Sequence, residues 1–303
     1  MTTRKEYFHL CSDGTESPDF ILSTNDFVAA MNIVALCAAN TAALVIAFTL
    51  EDTHLHLFLY GTRVECVCFK GMFESVYVRY ASRHRDSVDA FKLRIELYST
   101  GNDVDYVRNV AAYTVIQPTK DGKAVMPFDY LWGSGSLYFR AGNIIPVWML
   151  DKDGRLMDSV PFGSLGIKER RACVHSRTLT IPDSWLVCGG LVLPSNYVDV
   201  EMFESIFRTH NCYRVFLSGS RAKEAEILRR MASERGIMLQ DMEARRICAD
   251  ECKSSYGIRD PRRLSPQDRV SLAQALRRKY GMTIRQIAGL IRLPEKEVMR
   301  YVP

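Results

Sequence analysis

The chain has 303 residues, 47% hydrophobic, 25% charged and 10% aromatic. That is enough apolar material for two or three packed units, and it excludes disorder as the default state. The net charge of +5 permits a nucleic-acid partner without requiring one.

The N-terminal MTTRKEYFHL lacks the apolar stretch of a secretory leader. Tyr7–Leu10 has strand character and ends in the polar turn CSDGTESPD. Asn25 is the expected cap of a helix running to about Asn40. Ala42–Leu50 is an apolar run of strand length, Glu51–Thr53 a turn, and His54–Tyr60 an alternating strand, together a β-hairpin. The most apolar stretch, Phe27–Phe48, is interrupted by Asn32, Asn40 and Thr41, so it reads as a buried helix and strand and not as a membrane span. Glu65 to about Arg83 has helical spacing of Val67, Phe73, Val76, Tyr77 and Tyr80. RIELYS is a short strand, and Asp103–Ile116 a helix expected to stop before Pro118. The pattern predicts an α+β fold, a small antiparallel sheet flanked by helices.

Beyond Ala141 the text is irregular to about Thr180. Trp185–Leu193 has strand character, Val200–Phe207 is helical, and Lys223 to about Cys252 reads as one long charged helix. Asp260-Pro-Arg-Arg263 reads as a linker, and Leu264–Tyr301 as an all-helical piece. Three segments are therefore expected: 1–140, 141–260 and 261–303. Nine cysteines occur singly or as Cys66-x-Cys68, without structural-zinc spacing. Together with the missing leader they predict a reducing, cytoplasmic setting.

The chemistry concentrates in two places. Alternation puts His54, His56, Phe58 and Tyr60 on one face of the strand and Leu55, Leu57 and Leu59 on the other. Neighbouring imidazoles can clamp a divalent cation, but Mg²⁺ or Mn²⁺ also wants oxygen ligands. On the helix ending at Pro118, Tyr113 and Gln117 are four residues apart and share a face. The carboxamide oxygen of Gln117 suits a hard cation, and the Tyr113 hydroxyl is a candidate nucleophile. Tyr106 is the alternative nucleophile, two turns earlier on a nearby face, but about 16 Å from Gln117 along the axis. Cys173 and His175, in RACVHSRT, lack the spacing of an apposed catalytic pair.

The ordered combination resembles a known family. An apolar strand, a turn and His54-Leu-His56 are followed some sixty residues later by Tyr113-x-x-x-Gln117-Pro118. Then comes Met126-Pro-Phe-Asp-Tyr-Leu-Trp132-Gly-Ser134-Gly-Ser136-Leu-Tyr138. The series is similar to the IS200-like single-tyrosine transposases of the HUH endonuclease superfamily, and most to their REP-associated branch. Thr53 stands where that family usually has Asn, Gln117 where the branch more often has Asn though the wider family has Gln, and Trp-Gly-Ser where the branch has Trp-Ser-Ser. Over roughly residues 5–140 the resemblance implies a ferredoxin-like nuclease domain. It implies that His54, His56 and Gln117 hold Mg²⁺ or Mn²⁺. It implies that Tyr113 cleaves and rejoins single-stranded or hairpin DNA through a 5′-phosphotyrosine link. Lys70, Arg79, Arg83 and Arg85 would then contact the strand.

Residues 264–301 resemble a helix-turn-helix. Thr283 caps one helix, Ile287 and Ala288 pack, Leu293 fills the turn, and Val298 faces the core. Lys296 and Arg300 mark the recognition helix, and Arg285 is a phosphate contact. A DNA strand transferase is the expected function. The rivals are a transposase-derived DNA-binding regulator without catalysis, and a small-molecule metal hydrolase, which leaves Tyr113 and the basic end unexplained. The sequence leaves monomer or homodimer undecided.

Overall fold

The computed structural model describes residues 4–12, 20–84, 93–101, 103–140, 147–151, 153–235, 241–280 and 282–302. They form two compact units, Met1–Lys223 and Glu224–Pro303. The division falls between the boundaries expected at 140 and 260, because most of the middle segment packs onto the first unit.

The first unit begins β1 (Glu6–Ser12), α1 (Thr24–Asn40), β2 (Leu44–Leu50), β3 (Leu55–Gly61), α2 (Arg63–His84), β4 (Ile95–Gly101), α3 (Val104–Lys120). The strands make one sheet in the order β2-β3-β1-β4, with every neighbouring pair antiparallel. Cys11 lies opposite His56 and His9 opposite Phe58, so these side chains share a face. Leu10, Leu55, Leu57 and Leu59 form the other face and are fully buried. The helices α1 and α2 pack on each other and on the sheet. The helix α3 covers the face bearing the imidazoles, where the Tyr113 ring meets both His9 and His56.

Local chemistry moves two helix ends from their expected places. The cap of α1 is Ser23, not Asn25: its hydroxyl accepts from the Asp26 amide at 3.2 Å, and Asp26 in return accepts from the Leu22 amide. The helix α3 runs through Pro118 to Lys120. Proline removes one hydrogen bond there, but the terminal carbonyls are taken up. Asp121 N–H donates to Gln117 O, and Lys123 and Ala124 N–H both donate to Pro118 O.

The outer edge of β2 is closed by residues 130–138. Leu50 N–H donates to Trp132 O and Ser134 N–H to Phe48 O, each at 2.9 Å, while the Ser134 hydroxyl accepts from Phe48 N–H at 2.8 Å. A register shift at Ile46 leaves its carbonyl to the Tyr138 hydroxyl at 2.7 Å. Trp132 stacks on Phe27 of α1, with ring centroids 4.7 Å apart. A Cβ at Gly135 would collide with the Pro127 carbonyl, so this turn requires glycine.

The next elements are β5 (Ser159–Pro161), α4 (Ile167–Val174), β6 (Leu186–Cys188), β7 (Leu191–Val192), α5 (Val200–Phe207) and α6 (His210–Arg235). The single strand expected at Trp185–Leu193 is a hairpin, because Gly189 and Gly190 both take positive φ between β6 and β7. Two asparagines of α1 anchor this segment. Asn32, 1% exposed, donates to Cys173 O and Gly190 O and accepts from Val192 N–H. Asn40 donates to Thr180 O. Phe203 of α5 stacks on Tyr138. The long charged helix expected at Lys223–Cys252 is instead two helices, α6 and α7 (Asp241–Tyr256).

In the second unit α7 packs with α8 (Pro266–Tyr280), α9 (Ile284–Ile291) and α10 (Glu295–Tyr301). Their core includes Cys248, Cys252, Leu272, Leu276, Ile287, Ile291 and Val298. Thr283 caps α9, its hydroxyl accepting from Gln286 N–H, and Arg292 ends it in the left-handed conformation. The nearly buried Glu251 of α7 pairs with Lys279 and accepts from the Tyr280 hydroxyl, tying α7 to α8. Among the described residues no helix is long and apolar enough to cross a membrane.

Replacing Asn32 by Leu strands the Cys173 carbonyl and the Val192 amide in the interior and removes a partner of the Gly190 carbonyl. Each buried group without a partner costs about 1–3 kcal/mol. Urea denaturation should show the first unit destabilised by at least that amount, with Asn40→Ala costing less.

Candidate metal and nucleophile site

The site lies between the sheet face of β1 and β3 and the overlying α3. His54 precedes β3 and is partly exposed, its side chain retaining 18% accessibility. Its Nδ1 sits 2.9 Å from the Thr53 hydroxyl and its Nε2 3.8 Å from Glu51 Oε1. His56, on β3, is buried, and its Nδ1 lies 3.0 Å from Nε2 of His9 on β1. The two rings stack at 5.2 Å, and the His54 ring stands edge-on to His56 at 5.1 Å.

All three imidazoles are held neutral. Burial pushes His9 down to about 3. Burial also takes His56 well below the ordinary histidine range, helped by His54, His9 and Lys120. His54 is lowered chiefly by burial as well. Neutral imidazole is the form that ligates metal. Which nitrogen is available follows from the His9 contact. When His56 Nδ1–H donates to His9, the His56 Nε2 lone pair is left for a ligand.

Tyr113 of α3 packs edge-on against both buried imidazoles, 5.4 Å from His56 and 5.9 Å from His9. One turn on, Gln117 Nε2 donates to Tyr113 O at 2.9 Å, and Gln117 Oε1 accepts from Lys120 at 3.3 Å. The Lys120 ammonium also sits 4.8 Å above the Tyr113 ring. The structure therefore brings His54, His56, Tyr113 and Gln117 into one neighbourhood. A cation drawing on the Gln117 oxygen competes with Lys120 for it. Tyr106 stands two turns, about 10 Å, earlier on α3.

Two groups of side chains there have metal-ligand character. Ligand atoms of His9, Cys11 and His56, all buried, lie within 4.8 Å of one another, and so do those of Glu51, His54 and Asp121. Glu51 is fully buried. Burial raises its carboxyl to about 7, against the pull of the Lys123 ammonium. That ammonium is 2.7 Å from Glu51 Oε2 without hydrogen-bond alignment, and it also pairs with Asp52.

A groove of about 730 Å³ opens beside the site. Ile116, Thr119 and Lys120 of α3 line one wall, and Asn211, Arg214 and Val215 of α6 the other. Lys120 thus touches the groove, the Tyr113 ring and Gln117 at once.

The basic residues read as strand contacts are dispersed. Lys70, Arg79 and Arg83 lie on α2, across the sheet from the α3 face. Lys70 pairs with Glu74 and Arg79 bonds to Ser75. Lys70 and Arg79 border a shallow groove shared with Glu74 and Glu96. Arg85 lies outside the described residues. Arg285 on α9 and Lys296 and Arg300 on α10 are exposed in the second unit. Cys173 and His175 form no nucleophilic pair. Burial pushes the Cys173 thiol up to about 11 and His175 down to about 4, and the thiol is turned to Gly190 O.

The sequence reading missed His9, Glu51, Lys120, Asp121, Lys123 and Arg214. Asp121 continues the four-residue stripe of Tyr113 and Gln117, a signal hidden by ending the helix before Pro118. His9 becomes visible only through strand register. No family model, curated protein or solved structure matches the chain.

His9 makes the fold acid-sensitive. Its folded pKa lies below the ordinary 6.5, so between about 6.5 and about 3 the unfolded chain binds a proton that the fold refuses. Thermal melts should show Tm falling as pH drops through that window. His9→Gln should give a shallower slope.

Proposed function

We propose that the chain is a metal-dependent single-strand DNA transferase of the IS200-like, HUH type. The observation that carries this reading is the Tyr113 ring lying against His56, 5.4 Å away, with His54 beside it and Gln117 one turn on. A candidate covalent nucleophile thus packs against a neutral imidazole pair, as the reaction needs. The β1-α1-β2-β3-α2-β4 order with sheet order β2-β3-β1-β4 supports a ferredoxin-like nuclease domain.

His54, His56 and Gln117 would hold Mg²⁺ or Mn²⁺, and their nitrogen and carboxamide donors fit such an ion. When bound, the ion polarises the phosphate and stabilises charge on the displaced oxygen. Tyr113 Oη attacks phosphorus: an O–P bond to the tyrosine forms and the P–O3′ bond breaks. The phenolic proton is lost, and the departing O3′ gains one to become a free hydroxyl. The 5′-phosphotyrosine retains the phosphodiester energy, so a later 3′-hydroxyl rejoins the strand without ATP. Lys120 and Arg214 line a groove suited to the strand's phosphates, and Met126 and Val215 offer it apolar surface.

The second unit suits a duplex or hairpin stem. The helices α9 and α10, joined by a short turn with Arg292 at its start, support the helix-turn-helix reading. Exposed Arg285, Lys296 and Arg300 lie on these two helices.

One observation favours a regulator without catalysis. Tyr113, His56 and Gln117 are only 5%, 6% and 3% exposed, so a phosphate reaches them only after the cover shifts. Incubation with single-stranded hairpin DNA and Mn²⁺ separates the two readings. Strand transfer gives a covalent protein–DNA adduct that is absent in Tyr113→Phe. An adduct surviving that change moves the nucleophile, with Tyr106 the next to test. No adduct over a panel of hairpins favours the regulator. In either case Arg285→Ala with Lys296→Ala and Arg300→Ala should weaken binding across sequences. The salt slope should become shallower by about 0.9 for each duplex phosphate that the variant no longer neutralises.

A further inference from the structure

We infer that the Mg²⁺/Mn²⁺-class cation held by His54 also draws on Glu51 and Asp121, two carboxylates that the resemblance does not assign. The inference deepens the strand-transfer reading, and for its role it rests on that reading.

One ligand atom from each residue lies within 4.8 Å of the other two. Octahedral ligands on one Mg²⁺ at ~2.1 Å stand about 3.0 Å apart when adjacent and about 4.2 Å when opposite, so side-chain shifts of about 1–2 Å close the set. The donors are two carboxylates and one neutral imidazole. Oxygen-rich sets with one nitrogen suit Mg²⁺ or Mn²⁺, whereas two imidazoles alone leave such an ion short of oxygen.

The second observation is Glu51 itself. Its side chain is fully buried, and Oε1 accepts no hydrogen bond while facing His54 Nε2 at 3.8 Å. A buried carboxylate oxygen without a partner is costly, and a second carboxylate beside it adds repulsion. A divalent cation removes both penalties. Lys123 offsets part of the charge through Oε2 but leaves Oε1 unserved. Because Lys123 also pairs with Asp52, it can release Glu51 to a metal and keep a counter-ion.

Access follows from exposure. Asp121 is exposed and His54 partly so, whereas His56 is buried and engaged with His9. A cation reaches the Glu51 side from solvent without disturbing the Tyr113 ring. Asp121 caps α3 four residues beyond Gln117, so the helix that carries Tyr113 also carries a ligand. Metal binding thereby fixes the nucleophile's helix against the β2–β3 turn.

The test is titration of the full chain with Mn²⁺ alone, followed by electron paramagnetic resonance. The wild type should bind one ion. Asp121→Asn and Glu51→Gln should each weaken binding tenfold or more. Lys123→Gln, which removes the competing ammonium, should tighten it about threefold. Asp121 is exposed, so its variant reports on binding even where Glu51→Gln folds poorly. Unchanged affinity in Asp121→Asn, or weaker binding in Lys123→Gln, overturns the inference. Wild type that binds Mn²⁺ through these residues but forms no hairpin-DNA adduct leaves the site standing and sinks the strand-transfer reading.

Discussion

The contact on which the site depends is between two buried imidazoles, His9 Nε2 and His56 Nδ1, 3.0 Å apart. A strand at the centre of a sheet covered on both faces has no water for its polar side chains. Any histidine there must find its partner within the protein. The antiparallel register of β1 and β3 supplies that partner across the ladder. The leucines on the reverse face hold the register, since a one-residue slip would exchange the two faces. The same packing keeps both rings neutral and presents their edges to Tyr113. Core formation and site formation are therefore one event.

Around that centre the chain spends much of its polar chemistry on closing edges. Residues 130–138 read as a motif, but their physical task is to complete β2, with Trp132 O, Ser134 N–H and Ser134 Oγ taking outward-facing strand groups. The asparagines of α1 perform the same service for the middle segment. Both interrupt an apolar helix, and each serves at least one carbonyl more than a hundred residues away in sequence.

Much of the first unit was legible because periodicity declares it. Alternation at His54–Tyr60 located β3 and its two faces, and the four-residue spacing of Tyr113 and Gln117 located the helix face above it. What escaped depends on pairing between distant segments. His9 sits in a strand that reads as ordinary until register places it beside His56. Pro118 suggested a helix end, but the carbonyls it leaves are taken by following amides, so the stripe continues to Asp121. Residues 167–193 hold few periodic runs, and bonds from the α1 asparagines to Cys173, Thr180, Gly190 and Val192 help to order them. The basic residues of α2 drew attention by charge alone, and charge does not tell which face of a sheet a helix covers.

Lys120 gives the site a further property. Its one ammonium lies over the Tyr113 ring, bonds the Gln117 carboxamide and lines the neighbouring groove. A polyanion that draws this side chain into the groove takes it from the ring and the carboxamide. The converse holds by reciprocity: whatever holds Lys120 on Gln117 weakens the groove for an anion by the same factor. The lysine thus acts as an interlock, with groove occupancy and release of the Tyr113 ring and the Gln117 carboxamide as two readings of one equilibrium.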